Sequence, residues 1–449
     1  MKTPIPTVPG ALPLLGHALP LIRDRMEFMR TLSDHGELVE IRLGPWRVLV
    51  VTDAELTRVV LREHRTFDKG GPLYERAREL SGNGLSNCSH REHLQQRRLV
   101  QPNFHRDRLR DHTEIISRES MAVIETWRDD RPIDVLSDMR LITTRITADT
   151  MFDRSLTSAD AARIGRDVGT VVAGVLRRAL VPPLLARLPT PGNLRYHRAI
   201  HRLRHIIDAS VAEPRMREGG DHESLLTTLL AASSADGHSD RVLSDQEVRD
   251  QVVTFILAGM STTADALSWA LHLVARHPRI QEALWTETAN VLGGRAAGFE
   301  DLPRLSLTRY IILESLRLYP PFPLSTRLVT EETRLNRFTI PAGTTLAFCA
   351  YTLHHRADYF PDPENFAPTR WAGWEDPLRP PRIPFTAFGG GPRQCIGDRF
   401  ALVQATITLA NIASRWELHP TRRSPHPAVD VALSPRGLRL RPSARPRNP

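Results

Sequence analysis

The chain has 449 residues, of which 41% are hydrophobic and 25% are charged, as in an ordinary globular protein, and this composition excludes a largely disordered chain. Its net charge of +9 comes almost entirely from arginines, which are dispersed among 51 acidic residues. This dispersal argues against nucleic-acid binding, which needs a concentrated basic surface. Three cysteines, Cys88, Cys349 and Cys395, give no disulfide framework and fit a reducing cytoplasm.

The N-terminal region contains no predicted membrane anchor. Prolines and glycines interrupt residues 8–22 well before the roughly 18 apolar residues that a membrane span needs. Nothing in the rest of the chain marks a linker between two halves. We therefore expect a cytoplasmic monomer with a single domain over residues 1–449, an extended proline-rich lead-in at 1–20 and a disordered basic tail at 442–449.

The first half of the chain begins with β-type patterns and continues with helical ones. Two β-rich runs around Gly44-Pro45 predict a hairpin over residues 38–51, and Asp53 is suited to cap a helix that ends near Arg62. Helical periodicity then dominates residues 113–277. Proline-rich or polar interruptions at 182–183, 188–193 and 234–241 predict loops.

A long helix is predicted after these loops. Ser244-Asp-Gln-Glu247 forms a capping box, and the helical pattern continues to about Arg276, which gives roughly 32 residues. Short strands are predicted at 338–340 and 345–348. A final helix of about 20 residues after Cys395 and a hairpin at 429–440 complete the prediction.

Cys395 lies in the stretch Phe388-Gly-Gly-Gly-Pro-Arg-Gln-Cys395-Ile-Gly397, directly before that helix. Glycines let backbone N–H groups approach a thiol, and a helix N-terminus lowers its pKa, so the setting favours a metal-binding thiolate. Zinc needs several close ligands, and residues 388–410 hold no second Cys or His. A haem iron needs one axial protein ligand. A buried structural cysteine is the alternative for this motif taken alone.

This pattern resembles the haem-binding signature of the cytochrome P450 superfamily, and further matches run from near Pro9 to Ala401. The resemblance implies a mainly α fold with small β-sheets (α+β), with haem b between the long helix and the Cys395 loop and helix. It also implies a monooxygenase that inserts one oxygen atom from O₂ into an apolar substrate. Because the chain has no room for a fused redox domain, electrons are expected from a separate ferredoxin and ferredoxin reductase.

Inside the long helix, Ala258-Gly-Met-Ser-Thr-Thr263 combines glycine with three hydroxyl residues, which predicts a local kink that admits water. The run resembles the family's oxygen-activation motif, which implies that Thr262 steers proton delivery. Ser261 stands where the family usually has an acid, so the route would use water, substrate hydroxyls or Asp265. A helix with small residues for close packing is the alternative.

Four donors match positions that contact the haem propionates in the family: His93, Arg97, Arg327 and Arg393. Spacing of four residues puts His93 and Arg97 on one helix face. Arginine binds carboxylates through two parallel hydrogen bonds, which suits a dianionic cofactor. Each of these residues alone is more often a solvated surface group.

A second charged motif is expected to be structural. Glu314 and Arg317 lie on one helix face amid apolar residues, so burial would force them to pair. They resemble the family's Glu-x-x-Arg pair, which Arg370 would complete. Thr369 stands where the family usually has a glutamate.

The substrate is only weakly specified. Candidate wall segments at 71–80, 168–185, 257–260 and 321–324 are largely aliphatic and predict a hydrophobic secondary metabolite. Similarity to bacterial terpene oxygenases favours a terpenoid, with fatty acids and polyketides left open. A haem-thiolate peroxygenase that uses hydrogen peroxide and a non-catalytic haem sensor are the rival functions. The hydroxyl run in the long helix argues against both.

Overall fold

The computed structural model describes residues 3–44, 46–152, 163–164, 166–171, 174, 178, 188–215, 224–233, 243–374, 376, 378–379, 381–382, 384–429 and 432–446. Helices up to residue 152 are α1 (Ala18–Arg23), α2 (Arg25–Thr31), α3 (Ala54–Arg62), α4 (Pro72–Ser81), α5 (His90–Val100), α6 (Arg106–Ile124) and α7 (Val135–Met151). Later helices are α8 (Pro191–Arg215), α9 (Leu225–Ala231), α10 (Asp245–Arg276), α11 (Pro278–Leu292), α12 (Ser306–Leu318), α13 (Ala350–His354) and α14 (Asp398–Ala413).

Short strands form four small sheets in the described part of the chain. The strands are β1 (Leu38–Leu43), β2 (Trp46–Val51), β3 (Phe67–Asp68), β4 (Ile133–Asp134), β5 (Leu324–Val329), β6 (Thr333–Leu335), β7 (Phe338–Ile340), β8 (Thr345–Cys349), β9 (Trp416–Pro420), β10 (His426–Val429), β11 (Leu433–Arg436) and β12 (Arg439–Ala444). The largest sheet has the order β1-β2-β8-β5-β3 and is antiparallel except between β2 and β8. The mainly helical fold with small sheets is therefore confirmed.

Several local predictions are confirmed in detail. The β1–β2 hairpin pairs Leu38 with Val51 and closes at Leu43 and Trp46. Asp53 caps α3 by accepting a hydrogen bond from the Leu56 N–H at 2.9 Å. The Ser244–Glu247 capping box is present at the start of α10, which has 32 residues.

Other local predictions need correction. The extended lead-in ends before residue 18, because α1 begins there. The tail is not disordered from residue 442, because residues 442–444 pair with β9 in the last strand. The final helix has 16 residues, fewer than predicted. The predicted loops at 182–183 and 234–241 lie outside the described residues.

The long helix α10 is the axis of the core. It packs against α7, α12 and α14, and its residues from Thr263 to Leu271 are all buried. Trp269 fixes its C-terminal half, because the indole stacks on Tyr319 with ring centroids 3.9 Å apart and donates to the Leu433 carbonyl at 3.0 Å. By length and composition α10 would pass as a membrane span, yet 72% of its most apolar window is buried in the protein. It is therefore a core helix.

Candidate active site

The Cys395 loop (residues 388–397) has a shape that requires glycine. Gly389 and Gly391 have φ of +70° and +64°, where a side chain is strained. A Cβ on Gly391 would also lie 2.2 Å from the Leu61 carbonyl oxygen. The Cys395 N–H donates to the Phe388 carbonyl at 2.9 Å, which closes the loop. These contacts fix the position of the thiol just before α14.

The Cys395 thiol is accessible to solvent although protein surrounds it, so it faces an internal space. Burial raises the pKa of this thiol to about 11, and Asp398 adds to the rise, while the Gly397 N–H, Arg97 and Lys69 oppose it. The Gly397 N–H thus lowers this pKa in the predicted direction, but burial outweighs it. A thiolate here needs a cation bound to the sulfur, as a coordinating metal provides.

Arg393 is buried two residues before Cys395. Its Nη2 donates to Asp68 at 2.8 Å, and its Nη1 donates to the Cys88 carbonyl at 2.9 Å. Its Nε is buried and has no hydrogen-bond partner within the described structure. A buried N–H of a charged group without a partner costs stability, so this atom indicates a missing acceptor.

Arg97 reaches the same loop from α5, and His93 lies one turn before it on that helix. Arg97 Nη1 donates to the Gln394 carbonyl at 2.7 Å, directly beside the thiol. Burial and the positive charge of Arg393 lower the pKa of His93 to about 3. His93 is therefore a neutral donor or acceptor in the protein alone.

Arg327 and Lys69 bring two further cationic groups to this region. Arg327, on β5, is buried, donates to its neighbour's carbonyl at Thr326 at 2.7 Å and lies over the Phe348 ring. Burial, together with the charges of Arg327 and Arg393, lowers the pKa of Lys69 to about 7. Lys69 was missed by sequence reasoning. The one feature of the sequence that could have pointed to Lys69 is that it is one of two lysines in a chain rich in arginine.

Together these residues form a basic cluster around the Cys395 loop: Lys69, His93, Arg97, Arg327 and Arg393. Within the described ranges, the direct carboxylate contact to these five side chains is the one between Asp68 and Arg393. Burial depresses the pKa of Lys69, and the charges of Arg327 and Arg393 contribute to the fall, so like charges lie close together here. A ligand with two carboxylates next to a metal that binds one thiolate fits this donor set, and haem is such a ligand.

The hydroxyl run of α10 lies within a helix that continues without a break from Asp245 to Arg276. Ser261 and Thr262 donate to the carbonyls of Leu257 and Ala258, at 3.2 and 2.8 Å, within a continuous helix. Gly259 has a different role, since a Cβ there would lie 2.7 Å from Thr147 Oγ1 on α7. The glycine thus permits close packing of the two helices, the alternative that the sequence left open.

The Ala258–Thr262 face of α10 is accessible although the helix crosses the core, so it too lines an internal space. No hydrogen bond among the described residues joins Ser261 or Thr262 to the Cys395 loop. The connection is made by Phe104, which stacks on Phe255 of α10 at 5.7 Å. The same ring lies 3.7 Å from where a Cβ of Gly397 would be.

Ser261 also borders a polar cavity of about 420 Å³ on another side of α10. Asp265 lines the same cavity one turn further along the helix, and its carboxylate lies 3.8 Å from Arg140 Nη2 of α7. Arg166 and Arg436 contribute further charge to the walls. A cavity of this size and polarity has room for several water molecules.

The predicted charged pair is buried and complete. Arg317 binds Glu314 through two hydrogen bonds of 2.8 and 3.0 Å, and Arg370 Nε donates to the same carboxylate at 3.2 Å. The indole of Trp371, which sequence reasoning missed, donates to Glu314 at 2.9 Å. We call Glu314, Arg317 and Arg370 the charge hub.

The charge hub is linked to the Cys395 loop by His354. Its Nδ1 lies 3.0 Å from the Arg317 carbonyl, and its Nε2 accepts from the Thr386 N–H at 2.9 Å. Burial lowers the pKa of His354 to about 3, so the ring stays neutral. The hub therefore supports the segment that leads into the Cys395 loop.

Comparison with known proteins identifies the class of this fold and site. Residues 6–441 match the family model of cytochrome P450, and the chain belongs to this family. The predicted P450 enzyme is thereby confirmed.

Its relatives include three enzymes from Streptomyces. Cyclooctat-9-en-7-ol 5-monooxygenase of Streptomyces melanosporofaciens is 42% identical over 92% of this chain and 89% of its own length. Cyclooctatin synthase of the same species is 41% identical over 97% of this chain and 95% of its own length. Pentalenene oxygenase of Streptomyces avermitilis is 39% identical over 98% of this chain and 97% of its own length.

Proposed function

We propose that this protein is a monooxygenase that binds haem b, with Cys395 as the axial ligand of the iron. The observation that carries the proposal is the basic cluster around the Cys395 loop, in which like charges lie close together and the buried Arg393 Nε has no acceptor among the described residues. Bound haem supplies the activation of O₂ and the insertion of one oxygen atom into the substrate. The other oxygen atom leaves as water.

The basic cluster would hold the two propionates of haem. Arg393 offers its unpaired Nε, and Arg97 reaches over the loop next to the thiol. Arg327 adds positive charge from β5, and Lys69 adds it from the residue after β3. His93 adds a neutral ring nitrogen. Charge-assisted hydrogen bonds of this kind orient a planar carboxylate ligand and increase its affinity.

Proton delivery would run through the Ser261 side of α10. Ser261 and Asp265 line the same polar cavity, which would hold water between them, and Asp265 pairs there with Arg140. Thr262, the next residue, would pass protons to the substrate side. Asp265 would thus replace the acid that the family usually has at the position of Ser261.

The proposed substrate is a hydrophobic terpenoid, since relatives aligned over nearly the whole chain carry names of terpenoid oxygenases. The wall segments at 257–260 and 321–324 are described and apolar. The segment at 71–80 is described and carries four charged residues, whereas much of 168–185 lies outside the described residues. Electrons would come from a separate ferredoxin and its reductase. We place the enzyme in the cytoplasm as a monomer.

The carbonyl spectrum of the reduced protein tests the haem-thiolate proposal. The native protein should give the spectrum of a thiolate-ligated haem. Cys395→Ala should abolish it, while Cys88→Ala, which changes a buried cysteine next to Arg393, should retain it. An unchanged spectrum in Cys395→Ala would refute the ligand assignment.

An assay of product formation with different oxidants distinguishes the proposed monooxygenase from a peroxygenase. With a surrogate ferredoxin, its reductase and a panel of cyclic terpenes, we expect product that depends on O₂ and on reduced ferredoxin. Product formed only when hydrogen peroxide replaces both would favour a peroxygenase. Haem binding without product from either oxidant would favour a sensor.

A further inference from the structure

Exposed large hydrophobic side chains are concentrated near the N-terminus. Of eight such residues in the described structure, four lie within residues 12–19: Leu12, Leu14, Leu15 and Leu19. Leu14 is 94% exposed, which is exceptional for a leucine in a folded protein. Single exposed leucines need no explanation, but a contiguous group of them marks an interaction surface.

Leu12, Leu14 and Leu15 lie on a hydrogen-bonded turn, and Leu19 follows in α1. The N–H and carbonyl groups of Leu12 and Gly16 exchange hydrogen bonds of 2.9 and 2.8 Å, which closes the turn at residues 12–16. A Cβ on Gly16 would lie 2.2 Å from the Arg42 carbonyl oxygen, so the turn is pressed against β1. The buried ring of His17 holds it there, with Nε2 2.8 Å from the Val8 carbonyl and Nδ1 accepting from the Arg42 N–H at 2.9 Å.

Leu14 occupies the tip of this turn with φ of +64°. This left-handed conformation is unfavourable for leucine, and glycine or asparagine would adopt it at lower cost. The tip therefore combines an unfavourable backbone with an apolar side chain in water. Neither property stabilises the folded monomer, so both point to a contact that leucine makes outside the chain.

A second turn lies beside the first. The Gly44 N–H donates to the Leu15 carbonyl at 3.2 Å, so the end of the β1–β2 hairpin sits next to the leucine turn. There Leu43 pairs with Trp46, and both side chains are partly exposed. Tryptophan suits a boundary between water and an apolar phase, because its ring is apolar and its N–H is polar.

Positive charge flanks the leucines. The side chains of Arg42 and Arg47, paired across the hairpin, are 54% and 72% exposed. Both contact the single buried carboxylate of Glu40, which leaves an excess of one positive charge next to the two turns. Protein surfaces that enter a lipid interface combine apolar residues such as leucine and tryptophan with flanking arginines, and the two turns have this composition.

We propose that residues 12–19 together with Leu43, Gly44 and Trp46 dock reversibly on an anionic lipid surface. The leucines and Trp46 enter the headgroup region, and the two arginines meet lipid phosphates. Two short turns are too small for a stable protein partner, which needs about 20–30 residues on each side. This peripheral contact is distinct from the membrane anchor that the sequence argues against.

Vesicle sedimentation of the full-length protein tests this proposal. We expect binding to vesicles of mixed phosphatidylglycerol and phosphatidylcholine, and weaker binding to phosphatidylcholine alone or at high salt. Leu14→Ser combined with Leu15→Ser should lower the partition coefficient about tenfold or more, because two apolar side chains are lost from the interface. Arg42→Gln combined with Arg47→Gln should remove the preference for anionic lipid.

Leu94→Ser is the matched control, since Leu94 is 55% exposed but lies on α5, away from both turns. It should bind vesicles like the native protein. Lack of native binding to anionic vesicles, or equal binding by the double leucine variant, would overturn the proposal. It would also be overturned if the native protein self-associated in sedimentation velocity and the leucine variant did not, because a second copy would then be the occupant.

Discussion

The charge hub and the basic cluster are two buried charged regions built in different ways. In the hub, Glu314 accepts from Arg317, Arg370, Trp371 and the Ala367 N–H, so that the carboxylate is fully used. In the basic cluster, Arg393 Nε has no acceptor within the described part of the chain, and Lys69 is held at a depressed pKa.

This difference indicates different roles. A buried charge is tolerated when protein groups satisfy it, and such a group holds the fold together. A buried cluster with excess charge of one sign is completed by something that the chain does not contain. Changes in the hub should therefore affect folding, whereas changes in the basic cluster should affect ligand retention.

The largest effect is expected in the hub. Arg317→Met leaves Glu314 buried with fewer partners and should lower the free energy of unfolding by about 3–5 kcal/mol. Chemical denaturation measures this. Arg58→Met, which breaks an exposed pair with Glu55, is the control and should change it by less than about 1 kcal/mol. Equal effects of the two variants would mean that the hub is not structural.

Arg393→Met should weaken haem retention strongly and lower the free energy of unfolding only a little. It removes a propionate donor and should speed transfer of haem to an excess of a haem-scavenging protein by about 10–100-fold, as loss of a charged hydrogen bond predicts. Chemical denaturation of the haem-free protein should show a smaller loss than for Arg317→Met, because methionine removes an unsatisfied buried N–H. Unchanged haem transfer would remove Arg393 from the binding set.

Lys69 should make haem affinity depend on pH. In the protein without haem, the pKa of Lys69 is lowered to about 7 by burial and by the charges of Arg327 and Arg393. The haem propionates would favour the charged form of Lys69. Haem binding then adds a proton to Lys69 above about pH 7, and below about pH 11 it removes one from the Cys395 thiol. The affinity should therefore rise with pH by up to about tenfold per unit below about pH 7 and level off above it. A spectroscopic haem titration across this range measures the slope. In Lys69→Arg, which stays charged, the rise should continue above pH 7, and a level region in that variant would exclude Lys69 as its source.

The smallest expected effect concerns α10. Thr262→Ala should divert several-fold more reducing equivalents to hydrogen peroxide, because proton delivery on the substrate side is impaired. Asp265→Asn should have a similar but weaker effect, and Ser261→Asp should lower peroxide release by supplying an acid. Peroxide formed per electron pair is the measurement. Intact coupling in both Thr262→Ala and Asp265→Asn would place the proton route elsewhere.

Local chemistry explains what could be predicted from the sequence. The capping box at Ser244 and the turn glycines of the Cys395 loop depend on neighbours within a few residues, so their patterns are readable. Lys69, Trp371 and His354 could not be assigned, because their partners lie far away in the chain. Gly259 shows the same limit, since its role depends on Thr147 of another helix.

A crystal structure of the protein loaded with haem tests the central claim most directly. The basic cluster is expected to be completed by the propionates, with Arg393 Nε hydrogen-bonded to one of them and Cys395 bound to the iron. An Arg393 Nε that stays unpaired while both propionates bind other groups would contradict this account.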